Sequence, residues 1–344
     1  MAKEKPIKLI HGQTKKSKAN DKILSKYLKK YPDMKDYTLA KLIYNENPHL
    51  FLSIDNARSN IRFRRGHMGT RVAQDTKFVT PKTFDTTNTL IKITNRAPKL
   101  KILNLPLNIK NVLFLTDIHV PYQDDLALNK AITFGLEKNV DCIWLNGDIM
   151  DMYGASDHEK LPDHAMIHEE FDAMHDFLGQ LRKLFPKAQI YYKEGNHERR
   201  WTRLLMRKAQ ELIGMKEFEL NIILKLEEFK IHWVSNETLV KFGDLNVIHG
   251  NEFRGGGGVN PARALYMRAK ANIIAGDKHK TGENIENNLN NELVTTYSVG
   301  CLCDLNPKYI PFGHTIWNVG FAYIEMKDGK AKVHNYRIHN NNIL

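Results

Sequence analysis

Five short apolar runs in this chain each end in residues able to bind a cation, and that recurrence constrains the fold more than any other feature. Residues 112–115 lead into Thr116-Asp117-Ile118-His119, and 143–145 into Asn146-Gly147-Asp148-Ile149-Met150-Asp151. Residues 190–192 lead to Gly195-Asn196-His197-Glu198, 245–248 to His249-Gly250, and 273–275 to Gly276-Asp277-Lys278-His279. A single Asp or His beyond a strand is an ordinary loop cap. Five in succession place chemistry at the carboxyl ends of strands, where α/β sheets collect their sites.

The segments between these runs support the same reading. Helical patterns over about 125–138 and 168–184 alternate with strands at 112–115, 141–145 and 189–192, which is the signature of an α/β layered fold with a parallel core. Strands at 245–248, 273–275, 295–299 and 320–325 supply a second sheet. Ahead of this domain, taken as 109–344, the chain has a different character. Residues 1–20 read as a disordered basic arm. Ile23, Leu24, Tyr27 and Leu28 share one face of a helix over 21–30, stopped by Pro32. A second helix spans 37–45 and ends before Asn47-Pro48, and a third starts from Ser53 as N-cap. The polar face of that third helix carries Arg58, Arg62, Arg64 and Arg65, so 21–66 resembles a helix-turn-helix module that would bind DNA. A plain packing or dimerisation bundle has the same pattern. Residues 67–108 read as a linker with a strand at 90–93.

Charge sharpens the division. Residues 1–110 carry 24 Lys and Arg against 8 Asp and Glu, whereas 111–344 carry 27 against 31. The whole positive excess of the chain sits in its first third, which points to a polyanionic partner for that segment. No run of about 18 apolar residues is present, so no membrane span is expected. The beginning of the chain lacks the apolar core of a secretory leader. The three cysteines, Cys142, Cys301 and Cys303, are odd in number and lack CxxC spacing, so they suit neither a disulfide framework nor a zinc site. A reducing cytoplasm is the expected compartment.

The ordered motifs Asp117-x-His119, Gly147-Asp148-x-x-Asp151, Gly195-Asn196-His197-Glu198 and His249 resemble the signature of the calcineurin-like metallophosphoesterase superfamily. The resemblance covers about residues 111–330. It implies a layered sandwich of two sheets flanked by helices, here preceded by the small helical domain. It also implies two divalent metal ions. Asp117, His119 and His279 would hold the first, Asp148 would bridge, and Asn196 and His249 would hold the second. His197 matches the catalytic histidine. The family has His where this chain has Asp277. Three readings follow: Asp277 ligates the second metal and hardens the site, the second metal is weakly held, or His314 supplies the ligand. An N-terminal module ahead of this domain looks like phosphoesterases of bacteriophages, which implies the cytoplasm of an infected bacterial cell.

Elementary chemistry agrees with these roles. Two cations about 3.5–4 Å apart clamp a phosphate and activate water between them. Imidazole with carboxylate suits Mn2+, Fe2+, Zn2+ or Co2+ over Ca2+, and Asp277 tilts the choice towards Mn2+ or Mg2+. A histidine of ordinary pKa near 6.5 serves as general acid at neutral pH. Arg199 and Arg200 follow His197 and match phosphate geometry, though a solvated helix face would look the same. Asp151 is read as orienting a ligand. His158, His164, His168 and His175 are read as surface or pocket-rim residues, Trp233 and Trp317 as core, and glycines 255–258 as a loop over the cleft. The expected activity is a DNA nuclease. The alternative is a phosphatase or phosphodiesterase of small molecules or phosphoproteins, with the N-terminal module serving localisation only. A DNA-binding protein with a decayed site is the non-enzymatic reading.

Overall fold

The computed structural model describes residues 15–67, 99–253, 258–307, 310 and 315–344. The chain divides into two compact units, Met1–Arg96 and Ala97–Leu344. The expected strand at 90–93, most of the 255–258 glycine loop and His314 lie outside the described residues.

The first unit holds three helices, Lys15–Lys30, Asp36–Glu46 and Ile54–Arg64. Their apolar faces meet in a core built from Leu24, Leu28, Leu39, Ile43, Phe51 and Ile61. Ser53 caps the third helix as expected, its hydroxyl accepting the Asn56 N–H at 3.0 Å. Two expectations are corrected. The first helix begins at Lys15, so residues 15–20 of the expected disordered arm are helical, in keeping with the helix propensity of Lys and Ala. The connection between the second and third helices, residues 47–53, is longer than the three- or four-residue turn of a helix-turn-helix. The four arginines also separate. Arg58 and Arg62 are exposed, with the Arg58 guanidinium 5.7 Å from the centre of the Tyr37 ring. Arg64 instead pairs with Asp21. Arg65 turns inward, donating to the carbonyls of Met34 and Pro32 and to Asp36 Oδ1, each at 2.7 Å. Its guanidinium closes the first inter-helix turn and leaves no donor pair for an outside anion.

The second unit is a sandwich of two sheets. Strand β1 spans Lys101–Asn104, β2 Asn111–Leu115, β3 Cys142–Leu145, β4 Gln189–Lys193 and β5 Ile231–Val234. Next come β6 Thr238–Phe242, β7 Leu245–Val247, β8 Ile273–Ala275, β9 Gly282–Asn287 and β10 Leu293–Ser298. The last three are β11 Gly320–Lys327, β12 Lys330–His339 and β13 Asn342–Ile343. One sheet has the order β13-β12-β11-β2-β3-β4-β5 and the other β1-β6-β7-β8-β10-β9. Strands β2 to β5 are mutually parallel, so their carboxyl ends lie along one edge. β1 falls inside the expected linker, so that linker gives up residues 101–104 to the second sheet.

Alternation along the central strands builds two cores. Leu113, Leu115, Ile143, Leu145 and Ile190 face a layer that includes the helices Asp125–Glu137 and Ile167–Leu184. Val112, Phe114, Trp144 and Tyr191 face the opposite way, against Val240, Phe242, Val247 and Ile274 of the second sheet. A strand buried on both faces reads as a continuous apolar run, which is why these runs stand out in the sequence. No described helix is long and apolar enough to cross a membrane.

Arg65→Ala leaves Asp36 and several carbonyls without their partner. It is expected to destabilise the helical unit by about 2 kcal/mol, against less than about 0.5 kcal/mol for Arg58→Ala or Arg62→Ala. Urea unfolding of the full-length protein, followed by circular dichroism, measures the contrast. Equal effects would return Arg65 to the exposed set.

Candidate metal centre

The loops that leave β2, β3 and β8 turn abruptly. Asp117, His119, Asp148, Asp277 and His279 all take positive φ, between 50° and 62°. For side chains other than glycine, that backbone costs of order 1–3 kcal/mol each and persists only where surrounding structure dictates it. Cross-loop hydrogen bonds do so here: Asp117 N–H to the Gly147 carbonyl and His119 N–H to the Asp148 carbonyl, both 3.1 Å, and Asn146 N–H to the Leu115 carbonyl at 2.7 Å. Gly195 and Gly276 let backbone approach the carboxylates of Asp148 and Asp117, where an added Cβ would collide with them.

Glu198 sits beneath this arrangement, fully buried. Its carboxylate accepts the backbone N–H groups of Asp148, Ile149, Met150 and Gly195 and the hydroxyl of Tyr192, at 2.8 to 3.2 Å. A second, partly buried acid supports the His249 loop. Glu252 accepts the N–H groups of His249 and Gly250 at 3.1 and 2.7 Å, and the fully buried ammonium of Lys193 stands 3.1 Å from it. Both are positioning groups that the sequence reading left without a role.

The ligating candidates gather around two carboxylates. Asp117 Oδ1 lies 3.2 Å from His279 Nε2, and Asp148 Oδ2 lies 3.2 Å from His249 Nε2. Two imidazoles are aimed through Nδ1. His119 Nδ1 meets Asp151 Oδ1 at 2.7 Å, and His249 Nδ1 donates to the Asn146 carbonyl at 2.7 Å. Asp151 thus orients His119, as expected. Asp148 Oδ1 accepts the His197 N–H at 2.8 Å, so one oxygen of the expected bridge is already engaged. Asp277 stands within this group: its Oδ1 is 3.9 Å from His249 Nε2, its N–H donates to Asp117 Oδ2 at 3.0 Å, and Lys278 Nζ is 2.5 Å from its Oδ2.

Whether these residues fit cations is decided by what they leave unpaired. His119 Nε2, His249 Nε2, Asn196 Oδ1 and Asp277 Oδ2 are buried atoms without a hydrogen-bond partner; His249 Nε2 near Asp148 and Asp277 Oδ2 near Lys278 have charge contacts of poor hydrogen-bond alignment. Buried polar atoms are normally paired. Two wholly unpartnered atoms, on His119 and Asn196, and two with charge contacts only, on His249 and Asp277, suit a site that satisfies them with cations. Three sets of ligand atoms each fall within 4.8 Å: Asp117, Asp148 and His249; His119, Asp151 and His197; and His119, His279 and Cys303, the last two sharing His119. Cys303, set aside at sequence level for want of CxxC spacing, reaches the site because its Sγ lies 4.0 Å from His279 Nδ1.

Charge within the group is tightly balanced. Burial opposes the charge on His279, but Asp117 outweighs it and pushes the pKa up to about 9. Burial likewise opposes the charge on His249, and Asp148 raises its pKa well above the ordinary value. Burial alone would raise the Asp148 pKa, but His249 and His197 hold it well below the usual carboxylate range. Without metal, protons on imidazole supply the positive charge that these carboxylates require.

The remaining candidates divide. Arg200 Nη2 lies 2.9 Å from His197 Nε2 and its Nη1 donates to the Asp151 carbonyl at 2.9 Å. Arg199 is exposed and its charge acts on Glu194. Trp317 is not plain core. Its ring meets His279 edge-on, centroids 4.2 Å apart, and lines a cavity of about 150 Å³ together with Tyr122, Tyr153 and His164. Trp233 packs against the helix-side core.

No protein-family model matches the chain, and no curated protein sequence was found similar to it. Solved structures do align. A Vps29 mutant from Entamoeba histolytica is 14% identical, with 68% of this chain and 96% of that chain covered and a TM-score of 0.35. A conserved protein of Streptococcus pneumoniae described as a predicted phosphoesterase is 13% identical over 67% and 99%, with a TM-score of 0.29. The phosphoesterase Yfce of E. coli is 12% identical over 65% and 98%, with a TM-score of 0.31. The fold assignment itself rests on the strand order and register described above.

Two outcomes follow. Glu198→Gln keeps the shape but turns an amide N–H2 towards N–H donors, and Mn2+ affinity is expected to fall about 10- to 100-fold by calorimetry; unchanged affinity would remove Glu198 from the site's support. In the metal-free protein the His279 pKa is raised above its unfolded value, near 6.5. Its contribution to stability is therefore full below about pH 6.5 and is lost as pH rises through about 9. Mn2+ binding at pH 7 should accordingly release protons, seen as a dependence of the binding heat on buffer ionisation enthalpy. A flat dependence would contradict the charge assignment.

Proposed function

We propose that this chain is a dinuclear-metal-dependent phosphoesterase acting on phosphodiesters, most directly as a DNA nuclease. The observation that carries the reading is the set of buried, unpartnered ligand atoms around Asp117 and Asp148, with His197 and Arg200 beside it. Asp117, His119 and His279 would hold one cation, Asn196, His249 and Asp277 the other, with Asp148 between them. When bound, such a pair supplies Lewis-acid polarisation of the phosphate and a water of lowered pKa.

The protein's own groups do the rest. Burial opposes a charge on His197, but Asp148 and Asp151 outweigh it and raise its pKa, which favours the imidazolium needed to donate a proton to a leaving oxygen. The 2.9 Å contact with Arg200 points the other way, because guanidinium only donates and Nε2 can accept only when the ring is neutral. A phosphate oxygen seated between the two accepts from both and resolves the conflict, so Arg200 is read as a phosphate ligand. DNA as substrate is supported by the positive excess of the first third of the chain and by exposed Arg58 and Arg62. Phosphate-backbone attraction from such a segment is salt-dependent and nearly sequence-independent.

Hydrolysis of linear and circular DNA, beside bis-p-nitrophenyl phosphate, is the direct measurement. With Mn2+, both substrates are expected to be cleaved, His197→Ala is expected to lose about 10²- to 10⁴-fold in kcat, and DNA affinity is expected to fall steeply between low and physiological salt. Cleavage of the small diester alone would favour a small-molecule or phosphoprotein substrate. Inactivity with Mn2+, Fe2+ and Zn2+ would refute the enzyme.

A further inference from the structure

The cavity beside the metal centre has a composition that the hydrolytic chemistry does not require. It shares His119, Asp151 and His279 with the centre, and its other walls include Tyr122, Tyr153, Leu161, His164 and Trp317. The aromatic rings are fixed in place. Trp317 meets His279 edge-on at 4.2 Å, Tyr153 meets His164 edge-on at 5.5 Å, and the Tyr122 hydroxyl accepts the Ala165 N–H at 2.9 Å. The charged side chains that line it, apart from the metal centre's own, are Asp163 and Asp304; no Lys or Arg lines it among the described residues.

This arrangement sorts the parts of a phosphoester. An anionic backbone meets no Lys or Arg among the described residues of the cavity, whereas Arg200 waits beside His197. The phosphate therefore belongs at the His197 and Arg200 edge, and a flat uncharged group belongs in the cavity. Every nucleobase has a π-face that stacks on aromatic side chains. The carboxylate of Asp304 uses Oδ1 on the Asn306 N–H at 2.9 Å, and its other oxygen is an acceptor suited to an exocyclic amino group. A phenyl ring stacks equally well but brings no donor for a carboxylate. At about 150 Å³ the space accommodates a single ring system.

Building on the phosphodiesterase reading, we infer that the cavity is a nucleobase subsite, so that the scissile phosphate belongs to an unstacked nucleotide, in a single strand or at a strand end. A base inside a duplex must leave the stack to enter such a pocket.

Calorimetry on the Mn2+-loaded full chain tests this with deoxyadenosine, deoxycytidine and thymidine 5′-monophosphates, deoxyribose 5-phosphate and phosphotyrosine. The deoxyadenosine and deoxycytidine phosphates are expected to bind at least about tenfold tighter than the abasic phosphate, and tighter than the thymidine phosphate, which lacks an amino group. Leu161→Trp, which fills the cavity, should erase the advantage over the abasic phosphate. Asp304→Asn, at an exposed position, should narrow the gap to thymidine. Equal affinity for nucleotide and abasic phosphate, or phosphotyrosine binding as tightly as the nucleotides, overturns the subsite. Hydrolysis of bis-p-nitrophenyl phosphate in the same preparation separates the two readings. Turnover without base preference refutes the subsite alone, and base preference without turnover refutes the phosphodiesterase alone while upholding the subsite.

Discussion

One buried carboxylate ties the two-sheet unit together. Glu198 gathers donors from the loop after β3 and from the end of β4, two segments that must hold each other still if Asp148 and His197 are to keep their places. A carboxylate can accept several hydrogen bonds at once, and in a dry interior each donor left unpaired costs roughly 1–3 kcal/mol. The acid is therefore worth more than any single contact in the site. The Lys193 and Glu252 pair does the same for the His249 loop. Parallel strands bring the loops to one edge, and Glu198 and Glu252 fix their shape.

Strain and charge in this edge have a common origin. Five of the candidate ligand residues occupy left-handed backbone, and three carboxylates, Asp117, Asp148 and Asp151, stand almost without solvent. Neither would survive in a loop chosen for stability alone. Cross-loop hydrogen bonds sustain the first, and positive charge on imidazole balances the second. A cation pair would replace that positive charge with a stronger and better directed one, which is the sense in which the fold is built around a site.

Much of this was legible in the residues. The parallel strands announced themselves because burial on both faces makes continuous apolar runs, and the polar residues after each run marked the edge. Strands with one wet face were harder. β9, with alternating burial and the sequence GENIEN, and β12, largely half-exposed, carry too many polar residues to stand out. β1 has only four residues and hid in the linker. The identities of the ligand candidates followed from local motifs, whereas Cys303, the walls of the cavity and the support of His249 by Glu252 and Lys193 depend on contacts between distant segments. Arg65 looked like its exposed neighbours Arg58 and Arg62, and only the path of the first inter-helix turn shows that its guanidinium is already spent.

Asp277 has a neighbour of its own in Lys278, whose ammonium stands 2.5 Å from the carboxylate. Were Asp277 to hold a cation, loading would be an ion exchange, with a tethered monovalent ion displaced by a free divalent one. A tethered competitor is always present at high local concentration and cannot diffuse away. A histidine at this position would attract no such rival. On the proposed ligand set, this internal counter-ion would set how scarce the metal must become before the second position empties, a threshold written into two adjacent residues.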